Sequence, residues 1–194
     1  MKNIIIRILI LFITIITLNS FGKTYELSDE GNEILINGTS NLHNWHMTVV
    51  ASKCDAEFKT EGLQLKNIDN INFSCKVSDI KSDYSIMDRK TYAALKADNY
   101  PVIKFSLISN TELISDDSKF RGSMRGNLNA AGITREVTIH FTGDLEDQNI
   151  CRVKGSVDLK MSDFKITPPT ALLGTLKTGD NISVTFSLIL LSKS

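Results

Sequence analysis

The sequence predicts an all-β protein: an extended antiparallel β-barrel of about eight strands, with one short helix on a connecting loop. Three observations predict it. Apolar and polar residues alternate with a period of two through nearly the whole chain beyond residue 22, the mark of strands buried on one face. A single segment, residues 87–97, has the makeup of a helix instead. Strands that are all polar on one side close most economically into a barrel, which leaves no edge exposed.

The chain opens with Lys2 and Arg7, an apolar run of 11 residues from Ile8 to Leu18, and then Ser20-Phe21-Gly22. A positive start, a short apolar stretch and small residues at the cleavage positions read as a secretory signal peptide, residues 1–22. A membrane-spanning helix wants about 20 apolar residues. Residues 23–194 then form one domain, periplasmic or secreted, and no Cys follows the apolar run to carry a lipid anchor. Without Lys2 and Arg7 it carries 20 basic against 22 acidic side chains, a balance unlike that of a nucleic-acid binder.

Ile34 and Ile36 begin the strand series. Residues 46–58 read as one long strand, with Val50, Ala56 and Phe58 on its apolar face. Leu63 and Leu65 suggest a shorter strand, and Ile71, Phe73, Cys75 and Val77 another. The segment S-I-M-D-R-K-T-Y-A-A-L-K-A-D-N-Y-P is rich in helix formers. Ser85 stands three residues before Asp88 as a capping-box-like start, and Tyr100-Pro101 ends it. That helix is expected to pack against or cover one barrel end.

Ile103, Phe105 and Leu107 resume the alternation. Phe120, Met124 and Leu128 share one face of the next strand; Ile133, Val137, Ile139, Phe141 and Leu145 share one face of its successor. The short Ala130-Ala131-Gly132 break between them predicts a hairpin. Cys151, Val153, Val157, Leu159 and Met161 form the next set, and Ile182 to Leu190 the last. Between those two, residues 162–180 contain Pro168-Pro169 and two glycines, which predicts an irregular loop folded against the body.

A barrel of this size is either filled with side chains or holds one ligand. Gly122, Gly126 and Gly155 fall on the apolar parity of their strands, where absent side chains would free volume. Glycine within a strand also marks bulges and corners, so both explanations stand. Met124, Met161, Phe105, Phe141 and Phe186 would line such a lumen and suit an elongated apolar guest. Trp45, Phe58, Phe73 and Phe164 complete the candidate lumen residues.

The competing reading is a metal or catalytic site in S-N-L-H-N-W-H-M-T-V-V, residues 40–50. An odd spacing sends His43 and His46 to opposite strand faces unless a bulge intervenes, and His140 lies on the polar parity of its own strand. Leu42 and Trp45 read as apolar residues near a rim. Cys54, Cys75 and Cys151 form no C-x-x-C pair and read as small buried apolar residues; a Cys54–Cys75 disulfide stays open. No catalytic residue, metal site or cofactor is assigned. Lys119, Arg121, Arg125, Glu136, Arg152 and Lys154 face outward by parity. In an outer-membrane barrel each basic one at the midplane would cost about 2–4 kcal/mol.

Four segments in order resemble the YceI-like family, across roughly residues 24–191. They are A-L-K-A-D-N-Y-P-V-I-K-F (94–105), G-N-L-N-A-A-G-I-T-R-E-V-T-I (126–139), M-S-D-F-K-I (161–166) and T-G-D-N-I-S-V-T-F (178–186). The resemblance implies an extended lipocalin-like barrel that holds a long isoprenoid-type chain in its lumen. It also implies an exported protein, often a homodimer, and it carries over no active-site residues. Lys165, where the family pattern commonly has Gly, and the histidine-rich L-H-N-W-H are departures. The function expected is sequestration or transport of a polyisoprenoid, an isoprenoid quinone or a similar apolar or amphiphilic lipid. Transient membrane contact fits that role; nucleic acid does not. The alternative is a filled barrel that serves as a periplasmic protein-interaction module.

Overall fold

The computed structural model describes residues 22–171 and 175–193; the segment read as a signal peptide lies outside them, apart from Gly22. The strands are β1 (Gly22–Leu27), β2 (Glu33–Ser40), β3 (Asn44–Val49), β4 (Lys53–Glu61), β5 (Gln64–Lys76) and β6 (Ile80–Lys81). Helix α1 (Ser85–Ala94) precedes β7 (Val102–Asp116), β8 (Lys119–Ala130), β9 (Ile133–Leu145), β10 (Ile150–Lys160), β11 (Thr170–Ala171) and β12 (Leu176–Ser192). The ring runs β1-β4-β5-β7-β8-β9-β10-β12, all antiparallel, and closes where β1 pairs β12, Leu27 opposite Leu190. It is the closed eight-stranded barrel that the alternation predicts.

Eleven of the twelve segments make eight staves because three staves are broken; the two-residue β11 lies off the ring and pairs with β12. Along β12, Leu27 of β1 lies opposite Leu190 and Glu33 of β2 opposite Ser187. In the gap the Asn32 side chain replaces the missing ladder. Its Nδ2 donates to the Ser28 carbonyl at 2.6 Å, and its Oδ1 accepts from the Ile189 N–H at 2.9 Å. The stave expected over residues 46–58 divides into β3 and β4 at residues 50–52, where the Val50 N–H donates to Asp79 O at 2.9 Å. A 3-10 turn at Val77–Asp79 likewise separates β5 from β6.

Strand β5 does the reverse, joining two segments that periodicity separates. Its pairing with β4 shifts register at Glu57/Phe58 and again at Lys59/Thr60. Each bulge moves the inward face by one residue, so Leu65, Ile68 and Ile71, three apart, all reach the core. Strand β7 carries two such shifts against β8 and extends well past Leu107 to Asp116.

Helix α1 begins two residues earlier than expected and stops at Ala94. The Ser85–Asp88 capping box does not form. Asp88 Oδ1 instead accepts from Ser82 N at 2.8 Å and Ser82 Oγ at 2.7 Å, closing the turn that leads into the helix. The loop expected over residues 162–180 is shorter: a 3-10 turn at Met161–Phe164 opens it, and β12 already begins at Leu176.

The two barrel ends differ. At the end of the β4–β5, β7–β8 and β9–β10 turns, the interior is packed solid around Tyr25, Phe58, Leu65, Leu145 and Cys151. Tyr25 and Phe58 stack with centroids 4.9 Å apart, and the Tyr25 hydroxyl donates to Gln148 O at 3.0 Å. The opposite end carries the β2–β3 hairpin, α1 and the segment from Met161 to β12. There the staves do not all stay paired. The β9–β10 ladder ends at His140 and Ser156, although β10 continues to Lys160 and β9 starts at Ile133.

Candidate functional site

In the half of the barrel under α1 the interior is a chamber of about 750 Å³. Its wall is built from inward positions of the staves. Ile34 and Ile36 come from β2, Trp45, Met47 and Val49 from β3, and Val184, Phe186 and Leu188 from β12. Met161, Phe164 and Ile166 close the wedge where β9 and β10 part. The Arg135 guanidinium holds that wedge by donating from Nε to Asp163 O at 2.8 Å.

Helix α1 lies across the mouth. Met87, Lys90, Thr91, Ala94 and Leu95 all face the chamber, which is the i, i+3, i+4, i+7 stripe of one helical face. No residue of α1 is fully buried, so hydrogen bonds at its edges set its position. The Tyr92 hydroxyl lies 3.0 Å from Ser78 O and 3.1 Å from Ile80 O, and it accepts from Lys81 Nζ at 2.8 Å. Thr91 Oγ1 donates to Met47 Sδ at 3.3 Å, and Lys90 Nζ donates to Thr170 O.

Six of the twelve candidate lumen residues line this chamber: Trp45, Phe73, Phe105, Met161, Phe164 and Phe186. Phe58, Met124 and Phe141 belong to the packed core of the other half, and Gly122, Gly126 and Gly155 are not on the chamber wall either. The idea that these glycines free volume is corrected by what lies over them. A Cβ on Gly126 would sit 2.2 Å from Phe105 Cζ, one on Gly155 2.3 Å from Phe186 Cζ, and one on Gly122 2.1 Å from Glu112 O and 3.1 Å from Phe141 Cζ. Each glycine is the seat of a neighbouring strand's ring or backbone, so the space it vacates is already taken. The hollow lies away from them, in the half of the barrel under α1.

Trp45 has the same arrangement at the rim. Its indole lies across Gly38, directly opposite on β2, and its Nε1 donates to Thr39 O at 3.0 Å. Alternation is regular through this stretch, so no bulge joins the histidines. His43 borders the chamber mouth with Trp45 and Met47, whereas His46 lies on the outer face beside Asp158 and Asn181. Leu42 is 65% exposed in the hairpin, and His140 is exposed on the outside of β9. Among the described residues no group of three or more His, Cys, Asp or Glu could hold a metal ion.

Cys54, Cys75 and Cys151 are free and buried. Burial is the main reason all three thiols are pushed up to about 12; the charges of Asp55, Asp79 and Asp144, respectively, add to it. Cys75 is the one on the chamber wall, and at neutral pH it offers no thiolate for nucleophilic or metal chemistry. Among the described residues no Asp or Glu lines the chamber. The arrangement can enclose an apolar molecule and contact it with flat rings and flexible Met side chains.

Sequence reasoning missed the wall supplied by α1, although the spacing of Met87, Thr91 and Leu95 carries the signal. Alternation across residues 46–58 with Val50 on the apolar face assigns Met47 and Val49 to the outside, whereas Val50 is 60% exposed and Met47 is buried.

The model of the YceI-like domain matches residues 25–190. Among solved structures the chain is similar to a polyisoprenoid-binding domain from Saccharophagus degradans, implicated in plant cell wall breakdown. That likeness has 10% identity and a TM-score of 0.66, and it covers 87% of this chain and 98% of the other. BcnA of Burkholderia cenocepacia is 13% identical with a TM-score of 0.64, over 81% of this chain and 95% of that one. The YceI protein of Campylobacter jejuni is 16% identical with a TM-score of 0.56, over 81% and 86%. At such identities the likeness is one of fold. Curated proteins yield no match.

Proposed function

This chain belongs to the YceI-like family, and from its apolar chamber we propose that it is an exported lipid-binding protein. It holds a long apolar or amphiphilic chain, such as a polyisoprenoid or an isoprenoid quinone, in the hollow half of the barrel for sequestration or transport. One observation carries this reading: an interior chamber of about 750 Å³ whose deep wall is entirely apolar. That size falls within the range of small-molecule sites, about 300–1,000 Å³. The polyisoprenoid-binding description of the Saccharophagus degradans domain supports it, and the signal-peptide pattern of residues 1–22 supports export.

Two measurements test it together. The chain lacking residues 1–22 is purified, extracted with organic solvent and analysed by mass spectrometry; a stoichiometric lipid is expected. The delipidated protein is then titrated with an isoprenoid alcohol while Trp45 emission is followed. A folded protein that yields no lipid and shows no saturable change in emission would overturn the proposal.

A further inference from the structure

The chamber is polar only where it opens. Its polar side chains, among them Ser40, His43, Lys90, Thr170 and Thr178, come from the β2–β3 hairpin, from α1 and from strand ends, while Ile34, Phe73, Phe105 and Leu188 furnish the deep wall. Among the described residues no carboxylate accompanies these groups on the lining. The described lining of the mouth is therefore cationic or neutral.

Lys90 is one of these rim groups. It occupies the chamber-facing stripe of α1 and is half-buried. Its Nζ donates to the Thr170 carbonyl, a neutral acceptor, and no Asp or Glu among the described residues pairs with it. Thr170 pairs with Lys177, and Thr178 lies opposite Ser40, whose hydroxyl is already engaged as donor to His43 O at 2.8 Å. Lys160, also on the rim, faces the charge of Asp180, whose carboxyl is held below its usual range mainly by hydrogen bonds from Ser162 and further by the Lys160 charge. An ammonium has three donors, and Thr170 takes one. A half-buried cation without a counter-charge, above an apolar cavity, is completed by an anion.

Resting on the lipid-binding reading, we propose that the ligand is an anionic amphiphile and that Lys90 binds its head group, a carboxylate or a phosphate. The tail fills the chamber below Trp45 and Phe186, and the head remains at the mouth within reach of Lys90. The wall selects for an apolar chain; the rim selects for its charge.

The test uses three probes that share one saturated C16 chain: hexadecanoate, hexadecyl phosphate and hexadecanol, each below its aggregation limit. They are titrated into the delipidated chain lacking residues 1–22, and into Lys90→Met and Lys90→Arg. In the wild type at least one anionic probe binds tighter than the alcohol by roughly tenfold or more, as a charge-assisted contact requires, and the stronger of the two identifies the head group. Lys90→Met loses that preference, read as the ratio of its anionic-probe to alcohol affinities; Lys90→Arg keeps the preference. Equal affinity for all three probes in the wild type overturns the proposal while leaving lipid binding intact. So does a preference that survives Lys90→Met. Failure of every probe to bind the folded wild type overturns both this proposal and the lipid-binding reading beneath it.

Discussion

Adding one methyl group at Gly38 tests how Trp45 is held at the chamber rim. A Cβ on Gly38 would lie 2.1 Å from Trp45 Cζ2, 2.5 Å from Cε2 and 2.7 Å from Cη2, and its three nearest neighbours are all atoms of that ring. The methyl therefore displaces the indole, and with it the Nε1 bond to Thr39 O, now 3.0 Å. Overpacking costs about 1–3 kcal/mol, and the lost hydrogen bond about 0.5–1.5 kcal/mol. Replacing glycine within a strand returns about 0.5–1 kcal/mol of backbone entropy. Gly38→Ala should thus destabilise the protein by about 2 kcal/mol in urea unfolding followed by circular dichroism, with Trp45 emission shifted to the red. In a Trp45→Leu background the same substitution should be neutral or slightly stabilising, since the obstructing ring is gone. Gly38→Ala within about 0.5 kcal/mol of wild type, with unchanged emission, would refute the stacking argument.

Two further predictions concern groups away from the rim. Lys165 closes the 3-10 turn at φ +54° and ψ +33°, a left-handed conformation that costs an L-residue about 1–2 kcal/mol. Allowing for the entropy of glycine, Lys165→Gly should stabilise the fold by about 0.5–1 kcal/mol in urea unfolding, and a loss of stability would count against this account of the turn. The three thiols should resist a thiol reagent at pH 8 in the native state and react fully once unfolded. Their folded values of about 12 stand above the ordinary 9.0, so the unfolded chain loses protons first as pH rises. Stability should hold below about pH 9 and fall between pH 9 and 12, steepest in the wild type and less so in Cys151→Val; a flat profile up to pH 11 would contradict it.

The parity of β8, β9, β10 and β12 was plain in the sequence, because each of those strands keeps its inward set at a spacing of two over long stretches. The broken staves were not. Residues 28–32 interrupt the first stave with a side-chain substitute from Asn32, which no alternation reveals, and β1 went unread because Tyr25 is its only fully buried residue. In β5, Leu65, Ile68 and Ile71 mimic a helical spacing that two bulges reconcile with the sheet. At the site, aromatic residues were recognisable as lumen candidates, but their height along the barrel was not. Phe141 and Phe186 share an inward face type, yet Phe141 is in the packed half and Phe186 in the hollow half. Height depends on where each stave begins relative to its neighbours, a non-local quantity.

The glycines show why hollowness could not be read from missing side chains. Gly38, Gly126 and Gly155 are each covered by a ring, Trp45, Phe105 and Phe186 respectively, and all three rings line the chamber. Glycine therefore shapes the wall by letting a large ring lie flat against the sheet, which fixes the ring's position without widening the lumen. The hollow half is the one in which β9 and β10 part beyond His140 and Ser156. An empty apolar chamber forfeits the contacts its lining atoms would make in a filled core. The solid half around Tyr25, Phe58 and Leu145 keeps the barrel closed despite that loss. Under the proposed function a chain threaded under α1 would supply those contacts, would act as the part of the hydrophobic core that the sequence leaves out, and would stabilise the fold by mass action.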